Sequence, residues 1–241
     1  MKKFLKQYSL IICNVIFYGY CIDLFIVDYF NISTNHTDYL RIILIPSLCI
    51  YVAAVSKKNS RIDFKQIVLS SLAFAWIADL LLLKDNTYWF NINLLLLTAS
   101  TVFFVFFIAK LLDVNYKGKG LAYMIFTTVG FMFVYLNFYK LIDNEFNNQS
   151  LIFKLAAVLY LLSLAIGGVF VANLCANKQR KQLGINFFLP GILLFLFSTL
   201  LDLGLKLKNV DFNFMQLLIL FTFYFGHYYT AKGYAKYLSG L

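Results

Sequence analysis

Charge is what this sequence has least of. Only 13% of its 241 residues are Asp, Glu, Lys or Arg, against about a quarter in a soluble globular domain. Its 21 basic and 11 acidic side chains are too few to coat a water-exposed surface. Proline is nearly missing as well, with Pro46 and Pro190 alone, which excludes extended proline-rich linkers. The four cysteines, Cys13, Cys21, Cys49 and Cys175, lie inside apolar runs without CxxC spacing. They read as small buried hydrophobes rather than as a redox or metal centre. No GxGxxG, Walker loop, HExxH or GxSxG is present, so neither a cofactor nor a metal is expected. The net charge of +10 is spread over short clusters between apolar runs, not over the continuous basic face that nucleic acid requires.

What the chain has instead is hydrocarbon. Hydrophobic residues make up 61% of it, aromatics 19%, and the mean hydropathy is +0.76. Folding one soluble domain of this length leaves too much surface for such a composition to cover, so part of the surface must face lipid. A helix needs about 20 residues to cross the bilayer core. Eight stretches qualify: about Tyr8–Phe30, Tyr39–Ser56, Phe64–Leu83, Asn91–Leu112, Leu121–Tyr139, Leu151–Leu174, Ile185–Leu205 and Phe214–Leu238. The expected fold is all-α, a polytopic membrane helical bundle of about eight transmembrane helices forming a single integral membrane domain over residues 1–241. The first run follows Lys2, Lys3 and Lys6 like a signal peptide, but its length and the lack of a small-residue cleavage site read as a retained helix. Pro46 should kink or tilt the short second span.

Eight spans sort the basic residues unevenly. Fifteen of the 21 fall on the side of the N-terminus and six on the other, which predicts both termini in the cytoplasm. The expected location is a bacterial cytoplasmic membrane, and a homo-oligomer is compatible with such a chain. Tyr88, Trp89, Tyr135 and Tyr139 stand where interfacial aromatics belong. Gly167 and Gly168 read as a close helix contact, and Gly226 as another. Asn148-Gln149-Ser150 matches a glycosylation sequon, a triplet that arises readily by chance in an Asn-rich loop.

Ionisable groups inside the spans are the functional candidates, because an unpaired charge in hydrocarbon costs several kcal/mol or more. Asp79 stands in an apolar run near the end of the third span, and Asp202 occupies a similar depth in the seventh. Asp23 and Asp28 lie in the corresponding half of the first. Carboxylates facing one another there would hold a proton at neutral pH, as a general acid must. Each also has a plain structural reading, reaching headgroups or a basic partner, which is the stronger one for Asp23 and Asp28. His227, in the middle of the last span, can donate and accept in dry surroundings, either in catalysis or as an interhelical bond. His36 sits in a loop. Lys110 reads as a snorkelling anchor, and Ser198 and Thr199 can each bond the preceding turn of their own helix.

Three stretches carry a resemblance. Ser71-Leu72-Ala73-Phe74-Ala75-Trp76-Ile77-Ala78-Asp79-Leu80-Leu81, then Pro190 through Ser198, then Tyr224-Phe225-Gly226-His227 are similar in order and spacing to the lysoplasmalogenase-like, or YhhN, family of eight-span membrane proteins. Ala78 stands where that family usually has Gly, Thr199 where it has Asp or an amide, and Lys110 where it often has His. The resemblance implies a membrane-embedded hydrolase that cleaves the vinyl-ether bond of lysoplasmalogen-type lipids to release fatty aldehyde and a glycerophospho-alcohol. It further implies Asp79 as acid or charge stabiliser, Asp202 as its partner and His227 as the group that orients water or the carboxylates, with a membrane lysophospholipid as substrate. The other class is a small lipid-binding or transport protein using the same carboxylates, although no inverted repeat supports transport.

Overall fold

A computed structural model describes residues 2–30, 35–56, 62–82, 87–112, 118–210 and 213–240. Among these residues the chain is all helix and turn, with eight long helices: α1 Lys2–Phe30, α2 Asn35–Val55, α3 Ile62–Leu82, α4 Thr87–Leu111, α5 Lys119–Asn147, α6 Leu151–Ala176, α7 Leu189–Lys208 and α8 Asn213–Ser239. A helical turn, Lys181–Leu183, and a π-helical turn, Gly184–Phe188, lead into α7. By length and apolarity, five stretches can cross a membrane: Asp63–Leu81, Tyr88–Leu111, Lys119–Asn147, Leu151–Ala176 and Lys181–Lys208. Over their described residues α1 and α2 carry shorter apolar segments, Tyr8–Asp23 and Ile42–Val55. α8 stands outside that set because Gln216, His227, Lys232 and Lys236 interrupt its apolar residues.

Both prolines leave a structural mark, because each removes the N–H that would bond the carbonyl four residues back. Pro46 sits inside α2 and would otherwise bond Ile42; the freed Ile42 carbonyl instead accepts the Trp76 indole N–H from α3 at 3.0 Å. Pro190 lies beside the π turn, where the Leu189 N–H bonds the Gly184 carbonyl, five residues back. Helix ends are capped locally. Ser150, the third residue of the apparent sequon, is the N-cap of α6 and accepts from the Phe153 N–H. Asn209 closes α7 in the left-handed region at φ 49°.

α1 packs on α2, α2 on α3, α3 on α4, α5 on α6 and α7 on α8, as short connections require. α4 and α5 depart from this order: α4 lies against α6, while α5 stands outside and touches α6 and α7. α8 is the most connected late helix, reaching α1, α2, α3 and α7. At one end of the bundle Phe64, Phe107 and Tyr237 meet, with ring centroids 5.5–5.7 Å apart. Lys110 and Arg180 sit over this cluster, and Lys236 lies beside it over Phe187. At the other end Lys206 lies 3.5 Å from the Phe90 ring centroid. Glycines set two close approaches. A methyl on Gly226 would lie 2.7 Å from the Phe195 ring of α7, and one on Gly168 would run into the Phe131 ring of α5.

Candidate functional site

Asp79 is 1% exposed, on the face of α3 that also buries Val68, Leu72 and Ala75. Periodic burial therefore carries a carboxyl inward at the end of an apolar stripe. The Tyr224 hydroxyl of α8 donates to Asp79 Oδ2 at 2.5 Å, a short O–H···O bond. Tyr20 of α1 meets the Tyr224 ring edge-on at 5.1 Å. Asn93 of α4 donates to the Ala78 carbonyl at 2.7 Å, so a fourth helix holds the backbone immediately beside Asp79. Ala78 is fully buried here, and its methyl is accommodated without loss of that bond.

One turn along α8 from Tyr224, His227 is 5% exposed, and its Nε2 has no hydrogen-bond partner. Phe195 and Phe223 flank the imidazole, each with its ring centroid 4.6 Å away. His227 lines a cavity of about 20 Å³, with Ser71 from α3, Ser100 and Thr101 from α4, Tyr160 from α6 and Thr230 and Tyr234 from α8 as the other polar walls. Ser71 and Ser100 bond reciprocally across α3 and α4: each hydroxyl donates to the other residue's carbonyl, at 2.9 and 2.8 Å.

Of the three expected site residues, Asp79 meets α8 at Tyr224, and His227 lies one turn farther along α8 on a cavity that Asp79 does not line. Asp202 is set differently. Its side chain is 26% exposed and lies 3.5 Å from Lys206 one turn on, though it is close enough to Tyr160 to act on that hydroxyl electrostatically. Asp23 keeps a buried Oδ2 without a partner, while the Asp28 and His36 side chains lie outside the described residues. Lys110 is exposed, 5.8 Å from the Phe64 centroid. Thr199 bonds back to the Phe195 carbonyl at 2.7 Å as expected, but Ser198 reaches across to the Ile219 carbonyl of α8 instead. Tyr135, expected at the interface, donates to the Leu161 carbonyl of α6 at 2.7 Å and so joins two helices.

Sequence reasoning missed Tyr224 as the partner of Asp79, Asn93 as its backbone brace and the hydroxyl ring around the cavity. The available signal was weak: Ser71, Ser100, Thr101 and Thr230 are hydroxylic residues inside apolar spans, each of which can satisfy itself on its own helix. The model of the YhhN family matches the chain over residues 37–234 of 241, and the chain belongs to that family. Neither a curated protein nor a solved structure matches it.

Proposed function

From its place in the YhhN family, we propose that this chain is a membrane-embedded hydrolase acting on the vinyl-ether bond of lysoplasmalogen-type lipids. In this reading a single membrane domain crosses the bilayer eight times, with both termini in the cytoplasm. The observation that carries the chemistry is the buried Asp79, held by Tyr224 of a neighbouring helix, itself one turn along that helix from the His227 imidazole, whose Nε2 has no partner. A carboxyl without water around it is costly, and structure alone gives no reason to keep one there.

Asp79 delivers a proton to the alkenyl β-carbon, and the adjoining carbon becomes oxocarbenium-like. Tyr224 fixes one carboxyl oxygen, so the geometry of delivery is set by a bond and not by a free rotor. Water then adds to the electron-poor carbon, His227 orients it, and the hemiacetal collapses to fatty aldehyde and a glycerophospho-alcohol. Asp202 acts from farther out, stabilising positive charge through the field near Tyr160, with its own charge partly met by Lys206.

The test is initial aldehyde release from a lysoplasmalogen by detergent-purified protein, wild type beside Asp79→Asn. A monodisperse Asp79→Asn protein with undiminished release excludes Asp79 as the acid. Wild-type protein that releases no aldehyde in a suitable lipid environment, yet carries lipid between liposomes, replaces the hydrolase reading with binding or transport. Reporter fusions after Lys6 and at the C-terminal residue should both read cytoplasmic; opposite locations would overturn the eight-span count.

A further inference from the structure

The hydrogen bonds around the His227 cavity specify what it can hold. The walls are rich in hydroxyls, and the protons of the serines and threonines among them are already committed. Ser71 and Ser100 donate to each other's carbonyls. Thr101 donates to the Leu97 carbonyl at 2.8 Å, and Thr230 to the carbonyls of Gly226 and His227 at 3.0 Å. What the serines and threonines leave toward the cavity is a set of oxygen lone pairs. They favour an occupant that donates hydrogen bonds, and an anion finds no basic side chain in the described lining.

Two further observations narrow it. Among the described residues no Asp, Glu, Lys or Arg lines the cavity, so a small cation such as ammonium would sit in a low-dielectric site without a counter-charge, at a cost of several kcal/mol. Size then decides among neutral donors: about 20 Å³ exceeds the roughly 10–15 Å³ that one water needs and leaves no room for an organic molecule. The His227 Nε2 is buried without a partner in a residue only 5% exposed, and an unpaired buried polar atom of that kind is normally satisfied by ordered water.

We propose that the cavity is a built water site, in which one ordered water donates one proton to His227 Nε2 and the other to a hydroxyl oxygen of the α3–α4 wall. The site itself stands on the cavity and its donors. Only the use of the water rests on the proposed hydrolysis. There it is the nucleophile: its oxygen forms the bond to the oxocarbenium carbon while one of its protons passes to His227 Nε2. That proton then leaves with the ether oxygen as the hemiacetal C–O bond breaks, while the remaining hemiacetal O–H proton passes to the Asp79 carboxylate, which forms the aldehyde and restores the acid.

Solid-state NMR on histidine-labelled protein in bilayers tests the site without substrate, because the chain holds only two histidines. Magnetisation started on water protons should reach the His227 imidazole in the wild type. It should be lost in Leu97→Phe, which fills the cavity, and weakened in Thr101→Val, which keeps the volume and removes one acceptor; the second variant serves if the first fails to fold. No transfer to wild-type His227, or transfer unchanged in both folded variants, overturns the water site. Aldehyde release from a protein whose His227 is dry sinks this inference alone. Transfer to His227 without aldehyde release sustains the site and sinks the hydrolase reading.

Discussion

The α3–α4–α8 interior and the outlying helix α5 are built from similarly apolar sequence, yet they answer to different solvents. α5 is long and apolar but mostly uncovered: Phe126 is 81% exposed, and Phe133, Leu136 and Leu141 are exposed as well. Its contacts with the bundle are made along one side, where Phe131 meets Gly168 and Tyr135 bonds the Leu161 carbonyl. In the interior, pairs such as Ser71–Ser100 and Tyr224–Asp79 bond across helices, and apolar residues such as Leu72, Ala75 and Phe107 are covered. The difference teaches that apolarity in this protein says little about depth. Lipid is as apolar as leucine, so no hydrophobic force distinguishes a lipid-facing helix from a packed one, and small residues and hydrogen bonds make the distinction.

Substitutions in the two regions should separate sharply. The largest effect is expected at Asp79: Asp79→Asn keeps shape and bonding capacity, and aldehyde release should fall at least about 100-fold, within the usual range for a lost general acid. Its folded yield should match wild type by size-exclusion monodispersity, because an amide is cheaper to bury than a carboxylate. Asp202→Asn should cost less, since Asp202 is part-exposed and met by Lys206; a loss as deep as that of Asp79→Asn would make the two carboxyls equal partners.

Next comes packing. Gly226→Val puts side-chain carbon where the Phe195 ring already lies 2.7 Å away, and overpacking of this kind costs about 1–3 kcal/mol. Reversible unfolding in mixed micelles should report that loss; an unchanged midpoint would mean that α7 and α8 can separate freely.

Smaller still is the serine clasp. A double-mutant cycle on Ser71→Ala and Ser100→Ala should give a coupling of about 0.6 kcal/mol and below about 1.7 kcal/mol, the span found for interhelical bonds in membranes. At the bottom, Phe126→Ala on α5 should move stability by no more than about 0.5 kcal/mol. A larger loss would show that this face of α5 is covered by protein.

Much of this was readable before any coordinates. The helical architecture followed from apolar length, and Gly167, Gly168 and Gly226 were read as points of close approach, which the ring contacts of Gly168 and Gly226 bear out. Pro46 and Pro190 marked the irregular places. Other residues resisted. Ser198 and Thr199 are adjacent, both hydroxylic and both able to bond the turn before them, but only Thr199 does; Ser198 points to α8 because it lies about 100° around the helix. Tyr135 stood where an interfacial aromatic belongs and instead bonds a backbone carbonyl of α6.

The sequence by itself determined that the backbone would be helical and lipid-solvated, because too few charges exist to face water and spanning backbone must satisfy its own hydrogen bonds. It also marked Asp79 and His227 as expensive residues for such a place. Only the tertiary structure decided their company. Tyr224 and Asp79 are separated by 145 residues, and what joins them is the rotation of α3 and α8 about their own axes. Near-uniform apolar faces leave that rotation undetermined. The glycine contacts and interhelical hydrogen bonds formed on packing set it.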